Sequence, residues 1–212
     1  MKYKEEMLPL TVANIEEWDL AVRNSNNYGK EQKIIHDVLN NFPLNNDINV
    51  IAMKIAVIDI TNSTHISQYK SSLSLYDLAE VILKIPDFDE RLKYGDPEIV
   101  NIIAKNTGAI NLFSFASKYC TYHNVEIYER DDYSIYDSVV KNYLPYYLEK
   151  YCSEKISSYK IDNQWRQGYD YRSYNDCIER LLDKANINIP FRRRKFDHFI
   201  WYVNRIPTVY SA

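Results

Sequence analysis

Apolar positions recur along most of this chain three or four residues apart, with polar residues between them, which is the spacing of an amphipathic helix. In "KEQKIIHDVLNNF" (30–42), Ile34, Ile35, Val38, Leu39 and Phe42 fall on one face. "NVIAMKIAVIDI" (49–60) is apolar on nearly every side, the pattern of a central, buried helix. "SLYDLAEVILKI" opens on Ser74 as a cap and offers Leu75, Leu78, Ile82 and Leu83 for packing. "GDPEIVNIIAK" places Asp96 at a cap and Pro97 at the first helical position.

"FSFASKYCTYH" (113–123) predicts a further helix ending near His123, followed by a polar connection, "VEIYERDDYSIY", with Asp131 and Asp132 as a solvated turn. Asp137 then opens "SVVKNYLPYYLEKY", which Pro145 is expected to kink or interrupt. A second polar connection is expected from Ser153 to Gly168. "YRSYNDCIERLLDKA" carries Tyr174, Ile178, Leu181 and Leu182 on one face, and "RRRKFDHFIWYVNR" carries Phe196, Phe199, Ile200 and Val203 on another. The fold class read from these segments is all-α, with nine or ten helices in one globular domain.

Composition narrows this little. Apolar residues are 46% and charged residues 26% of 212, ordinary for a globular protein. Four glycines and seven prolines leave little material for hairpins, which favours helices. Twenty tyrosines are unusual. No apolar run nears the roughly 18 residues of a membrane span, and Glu5 and Glu6 stand where a signal peptide is positive. A cytoplasmic protein with no membrane partner is expected. Cys120, Cys152 and Cys177 are widely spaced and suit reduced thiols; no CxxC pair suggests a metal or cluster site. A formal charge of -3 gives no general attraction to nucleic acid, so such binding must rest on a local patch.

Lys118 sits among apolar and aromatic neighbours, and Asp137 follows it by 19 positions at the mouth of a new helix, in "IYDSVV". This resembles the helix-hairpin-helix DNA glycosylases, the superfamily of endonuclease III and 8-oxoguanine DNA glycosylase. There a hairpin between two helices ends in a catalytic lysine, and an aspartate in a motif of the type "VDTHV" follows at similar spacing. "AVIDITNSTHISQYK" (56–70) is similar, without gaps, to the endonuclease III segment "AVLLSAQATDVSVNK". The two patches lie within residues 50–145, about half the chain. The hairpin of that family reads like "LPGVGRKTA"; here "LFSFASKYC" puts Ser114 and Ala116 in place of both glycines, which reshapes the hairpin or removes its phosphate contact. The four-cysteine loop is absent, so neither an iron–sulfur centre nor another cofactor is expected.

The resemblance implies a two-lobed helical domain in a divergent bacterial branch, with residues 50–145 as the core lobe, the terminal helices as the second lobe and a cleft between them. It implies excision of a damaged or modified base from double-stranded DNA. Lys118 would be the Schiff-base nucleophile, which adds lyase activity at abasic sites, and Asp137 would stabilise the cationic sugar. Asn62 would fill the gap left by the extruded base, with Thr64 and Lys70 beside it in the matching segment, and Ser114 and Ala116 would stand at the hairpin. Phe115, Tyr119 and Tyr136 would line a base pocket by stacking. "RRRK", with Arg192, Arg193 and Arg194, is the one dense basic run and a candidate grip on phosphates.

Bland readings stand beside these. Asp137 is also a favoured helix cap, Lys118 also suits a snorkelling surface lysine, and His123 suits a helix end. The alternative function is a helical protein that binds DNA or a protein partner without catalysis, for example in bacterial defence against phage.

Overall fold

The computed structural model describes residues 7–64, 66, 73–105, 108 and 110–203. Among these the chain is helical throughout and contains no strand. The elements are α1 (Val12–Arg23), α2 (Tyr28–Asn41), α3 (Ile48–Asn62), α4 (Leu75–Leu83), α5 (Phe88–Lys93), α6 (Glu98–Lys105), α7 (Phe113–Tyr128), α8 (Ser138–Cys152), α9 (Ser158–Ile161), α10 (Tyr171–Lys184) and α11 (Arg192–Val203). A π-helical turn, Asp162–Gln167, continues directly from α9. Both lie in the stretch expected to be a polar connection.

Local signals set most of these boundaries. Ser74 and Asp77 form a reciprocal capping box at α4. Asp137 caps α8, which runs unbroken through Pro145 rather than stopping there. Four glycines are too few to end every helix, so Ser63, Glu129 and Ser153 take the left-handed terminal position of α3, α7 and α8, at φ of 49°, 52° and 59°.

One apolar core runs from Leu10 to Ile200. α3 packs on α2 and α4, α6 on α7, and α1 lies along α11. The predicted faces of α10 and α11 are buried, except that Val203 is only partly covered. On α2 the buried positions are Ile35 and Leu39, whereas Ile34 and Phe42 are exposed, since α2 meets its neighbours along a narrower stripe than five apolar residues suggest.

The tyrosines have a structural use. Seven of them are among the largest fully buried side chains, and several hydroxyls tie down the segment between α7 and α8. The Tyr171 hydroxyl donates to Ser134 O (2.8 Å) and accepts from Ser134 N (2.7 Å), and Tyr174 donates to Ile135 O. Tyr133 donates to Asp96 O at 3.0 Å. The expected polar connection is therefore half wrong. α7 continues to Tyr128, and Tyr133 to Tyr136 are buried.

Nor is Asp131 in a solvated turn. Its carboxylate accepts the amides of Arg193 (2.7 Å) and Arg194 (3.1 Å) at the start of α11, and burial pushes its pKa up to about 6 against the pull of those amides. Asp132 pairs with Arg130 and accepts from the Asn124 side chain.

Candidate active site

The segment that the tyrosines pin down ends at Asp137, and a hydroxyl fixes it against α7. Ser117 Oγ accepts the Tyr136 amide at 3.0 Å and donates to Ser114 O at 2.9 Å. Ser117 precedes Lys118 and Tyr136 precedes Asp137, so this contact sets the register of the two candidate residues. Lys118 Nζ lies 3.8 Å from Asp137 Oδ2 and 3.5 Å from the Asn62 carbonyl. The two Asp137 oxygens divide their work. Oδ1 accepts the amides of Val139 (2.9 Å) and Val140 (3.0 Å), while Oδ2 faces the lysine. Capping and chemistry do not compete here.

Lys118 and Asp137 face a cavity of about 650 Å³. The end of α3 contributes Asn62 and the following Ser63 and Thr64; α7 contributes Ser114 and Lys118; α8 contributes Lys141, with Asp137 and Tyr136 just before it. The start of α2 brings Tyr28 and Glu31, the π-helical turn Asp162 and Arg166, and α11 Asp197 and Trp201. Single π-helical turns gather at functional sites because the widened turn re-aims side chains. The Tyr28 and Trp201 rings stack with centroids 4.9 Å apart and form an aromatic wall.

A second carboxylate stands near the lysine. Asp197 accepts from Arg194 Nη1 at 2.5 Å. Burial pushes its pKa up to about 6, while Arg194 and Lys118 pull it down. On the neighbouring wall Arg166 grips Asp162 with two bonds, 2.7 and 2.9 Å, which holds that carboxyl below its ordinary range.

Several expectations need correction. Phe115 and Tyr119 do not line the cavity; they are fully buried in the core, and the Tyr119 hydroxyl donates to Asn45 Oδ1 at 2.7 Å. At 3.6 residues per turn they sit roughly 60° and 100° around α7 from Lys118, whereas Ser114 shares its face. Of the proposed aromatic pocket only Tyr136 faces the cavity. Ala116 is buried, and its amide is spent on Leu112 O at 2.8 Å, so it offers nothing to a phosphate.

The basic run is also committed inward. Arg192 pairs with Glu179 and with Asp183 (2.8 Å), and Arg193 with Glu179 (2.8 Å). Arg194 is buried between Asp197, Gln32 (2.6 Å) and the ring of Tyr122. Acidic partners on α10, with Asp197 one turn along α11, turn a candidate phosphate grip into an internal lattice.

Asn62 and Thr64 do line the cavity, but both side chains are engaged. Asn62 Oδ1 accepts from Tyr122 (2.6 Å), and Thr64 donates to Asp59 (2.5 Å). Lys70 lies outside the described residues. His123 is fully buried, stacked on Tyr119 and bonded through Nδ1 to Tyr119 O at 2.7 Å, which excludes it from the site. Sequence reading missed Tyr28, Glu31, Asp162, Arg166 and the cavity position of Asp197 and Trp201. The one available signal was Asp197 and Trp201 at i and i+4 on α11.

Among the described residues no helix is long and apolar enough to cross a membrane. No solved structure matches the chain. A Haemophilus influenzae protein described as uncharacterized is 31% identical over 135 residues, 62% of this chain and 58% of that protein's length. The family HI_0787_N, described as an N-terminal domain, matches residues 11–131, which include Asn62 and Lys118 but stop short of Asp137. That match covers more than half of the chain, so the protein belongs to the HI_0787_N N-terminal domain family.

Proposed function

We propose that the cavity receives a nucleotide turned out of a DNA duplex, and that the protein is a DNA glycosylase of helix-hairpin-helix type, with a two-lobed helical body and lyase activity at abasic sites. The observation that carries this reading is the meeting of Lys118 and Asp137, 19 positions apart, at 3.8 Å on the wall of a cavity of about 650 Å³. A lysine beside a carboxylate suits displacement at a sugar C1′. The deprotonated amine attacks C1′, and the base departs with the electron pair of the glycosidic bond and takes up a proton. The C1′–O4′ bond then breaks, O4′ taking the proton released from the lysine nitrogen, to leave an imine. Asp137 Oδ2, free of the capping task, stabilises positive charge on the sugar as the bond breaks. The stacked Tyr28 and Trp201 replace Phe115 and Tyr119 as the surface for a planar base.

Borohydride trapping on a duplex with one abasic site tests this directly. A covalent adduct with the wild type that Lys118→Ala abolishes is the expected result; binding of the duplex without any adduct removes the lyase role. The alternative of a non-catalytic DNA- or protein-binding domain is favoured by one observation, the internal pairing of the basic run. It predicts partner binding that Lys118→Ala leaves intact.

A further inference from the structure

The loss of the hairpin glycines and the internal pairing of Arg192 to Arg194 leave a practical question: what on this protein would hold a phosphate? We propose that Lys141 and Arg166 form a phosphate subsite on the cavity wall, one that seats the phosphate ester of the sugar facing Lys118. This rests on the reading of the cavity as a nucleotide site.

Both cations line the cavity, and both turn to the same acid, Asp162. One carboxylate neutralises one of them, so these three side chains together carry one formal positive charge, within a cavity where Glu31, Asp137 and Asp197 stand against Lys118 elsewhere on the lining. The acid is also crowded. Arg166 occupies both of its oxygens, and the Tyr136 hydroxyl donates to Oδ1 at 3.2 Å. Lys141 Nζ is left 3.8 Å from Oδ1, beyond hydrogen-bond reach, and has no hydrogen-bond partner among the described residues. Arg166 spends Nε and Nη2 on Asp162 and keeps Nη1.

The side chains of Lys141 and Arg166 are 33% and 31% exposed, which leaves them anchored yet reachable. A rigid guanidinium edge beside a mobile ammonium suits a tetrahedral oxyanion, which takes donors from two directions at once. Ser114 and Ser138 bring hydroxyls to the same cavity. The third cation lining it, Lys118, faces Asp137 instead.

The test compares two aldehydes, 2-deoxyribose and 2-deoxyribose 5-phosphate, each incubated with the full chain and borohydride and read by intact mass. The lysine amine and the aldehyde form an imine with loss of water, and borohydride supplies the hydride that reduces it to a stable amine. The wild type is expected to trap the phosphate ester at roughly tenfold lower concentration than the plain sugar. Lys141→Gln, which breaks no hydrogen bond, narrows that ratio, and Lys141→Gln with Arg166→Gln brings it near one. Lys118→Ala gives no adduct with either compound.

If the sugar is trapped at Lys118 but the phosphate gives no preference, or the double variant keeps it, the subsite is wrong and the Schiff-base reading stands. If neither aldehyde is trapped, the enzyme reading falls, and inorganic phosphate then decides the subsite. A shift of the Arg166 Nε–H resonance on titration that Lys141→Gln weakens keeps it, and no shift overturns it.

Discussion

Two lysines are buried among the described residues, and they teach opposite things. Lys54 lies wholly inside, where its ammonium donates to the carbonyls of Pro43 (3.4 Å) and Leu44 (3.0 Å) and to Asn45 Oδ1 (3.0 Å). Burial pulls its pKa down to about 8, with Asp89 opposing. By desolvation alone, Lys54 reads as an activated amine. Yet every donor has an acceptor, and Lys54 does not line the cavity that Lys118 faces. Lys118, 8% exposed, has only long contacts of 3.5 and 3.8 Å among the described residues and faces about 650 Å³ of open space. Burial marks a lysine as unusual; unfilled space and unfinished hydrogen bonds mark it as available.

The comparison breaks most sharply under substitution by methionine, which keeps the stem and removes the charge. Lys54→Met strips hydrogen bonds from the Pro43 and Leu44 carbonyls and from the buried Asn45 side chain, and is expected to lower stability by about 3 kcal/mol, measured by urea denaturation. Lys118→Met removes long contacts only and is expected to cost under about 1 kcal/mol while abolishing the trapped adduct. Equal losses of stability in the two variants would refute the distinction drawn between them.

A second test sharpens the electrostatic side. The Asp197 carboxyl is raised to about 6 in the fold, whereas an unfolded aspartate releases its proton near pH 4. Between those values the folded state holds a proton that the unfolded state has lost. The contribution of Asp197 to stability is therefore greatest below about pH 4, falls as the pH rises to about 6, and is flat above. The stability of the wild type relative to Asp197→Asn should decline through that window by on the order of 2 kcal/mol. Taking the difference between the two proteins cancels the opposite trend of His198, whose pKa burial lowers to about 3. In Lys118→Met the Asp197 midpoint, followed by carboxyl carbon NMR, should move upward, because Lys118 helps hold it down.

How far the sequence could be read follows from the range of the forces involved. Helices α8, α10 and α11 and the caps Ser74 and Asp137 are local events, set by side chains within a few residues of the backbone they serve, and they were legible. The cavity was legible at Lys118 and Asp137 because a motif spacing carried them. Asn62, Thr64, Ser114 and Tyr136, also named from the sequence, line it too, but its remaining walls were not legible. Asp162 and Arg166 come from a π-helical turn within a stretch whose polarity reads as loop, and Tyr28 and Glu31 from a helix start with no side-chain cap to mark it. The run Arg192 to Arg194 misled for the same reason in reverse: its partners Glu179, Asp131 and Gln32 lie 13 to 162 positions away. Charge on the page is local, whereas neutralisation in the fold is not.

The smallest expected change in stability carries the most direct information about Asp137. Its Oδ1 caps α8 and its Oδ2 faces Lys118, so the two tasks can be separated by chemistry. Asp137→Asn keeps an oxygen for the amides of Val139 and Val140 and removes the charge, and Asn caps about as well as Asp. Asp137→Ala loses both. Denaturation should therefore show Asp137→Ala about 1 kcal/mol less stable than the wild type and Asp137→Asn within a few tenths of a kcal/mol of it. The adduct formed by borohydride trapping should fall in both variants. If Asp137→Asn traps as the wild type does while Asp137→Ala is merely unstable, the aspartate is a cap and nothing more, and Lys118 acts without it.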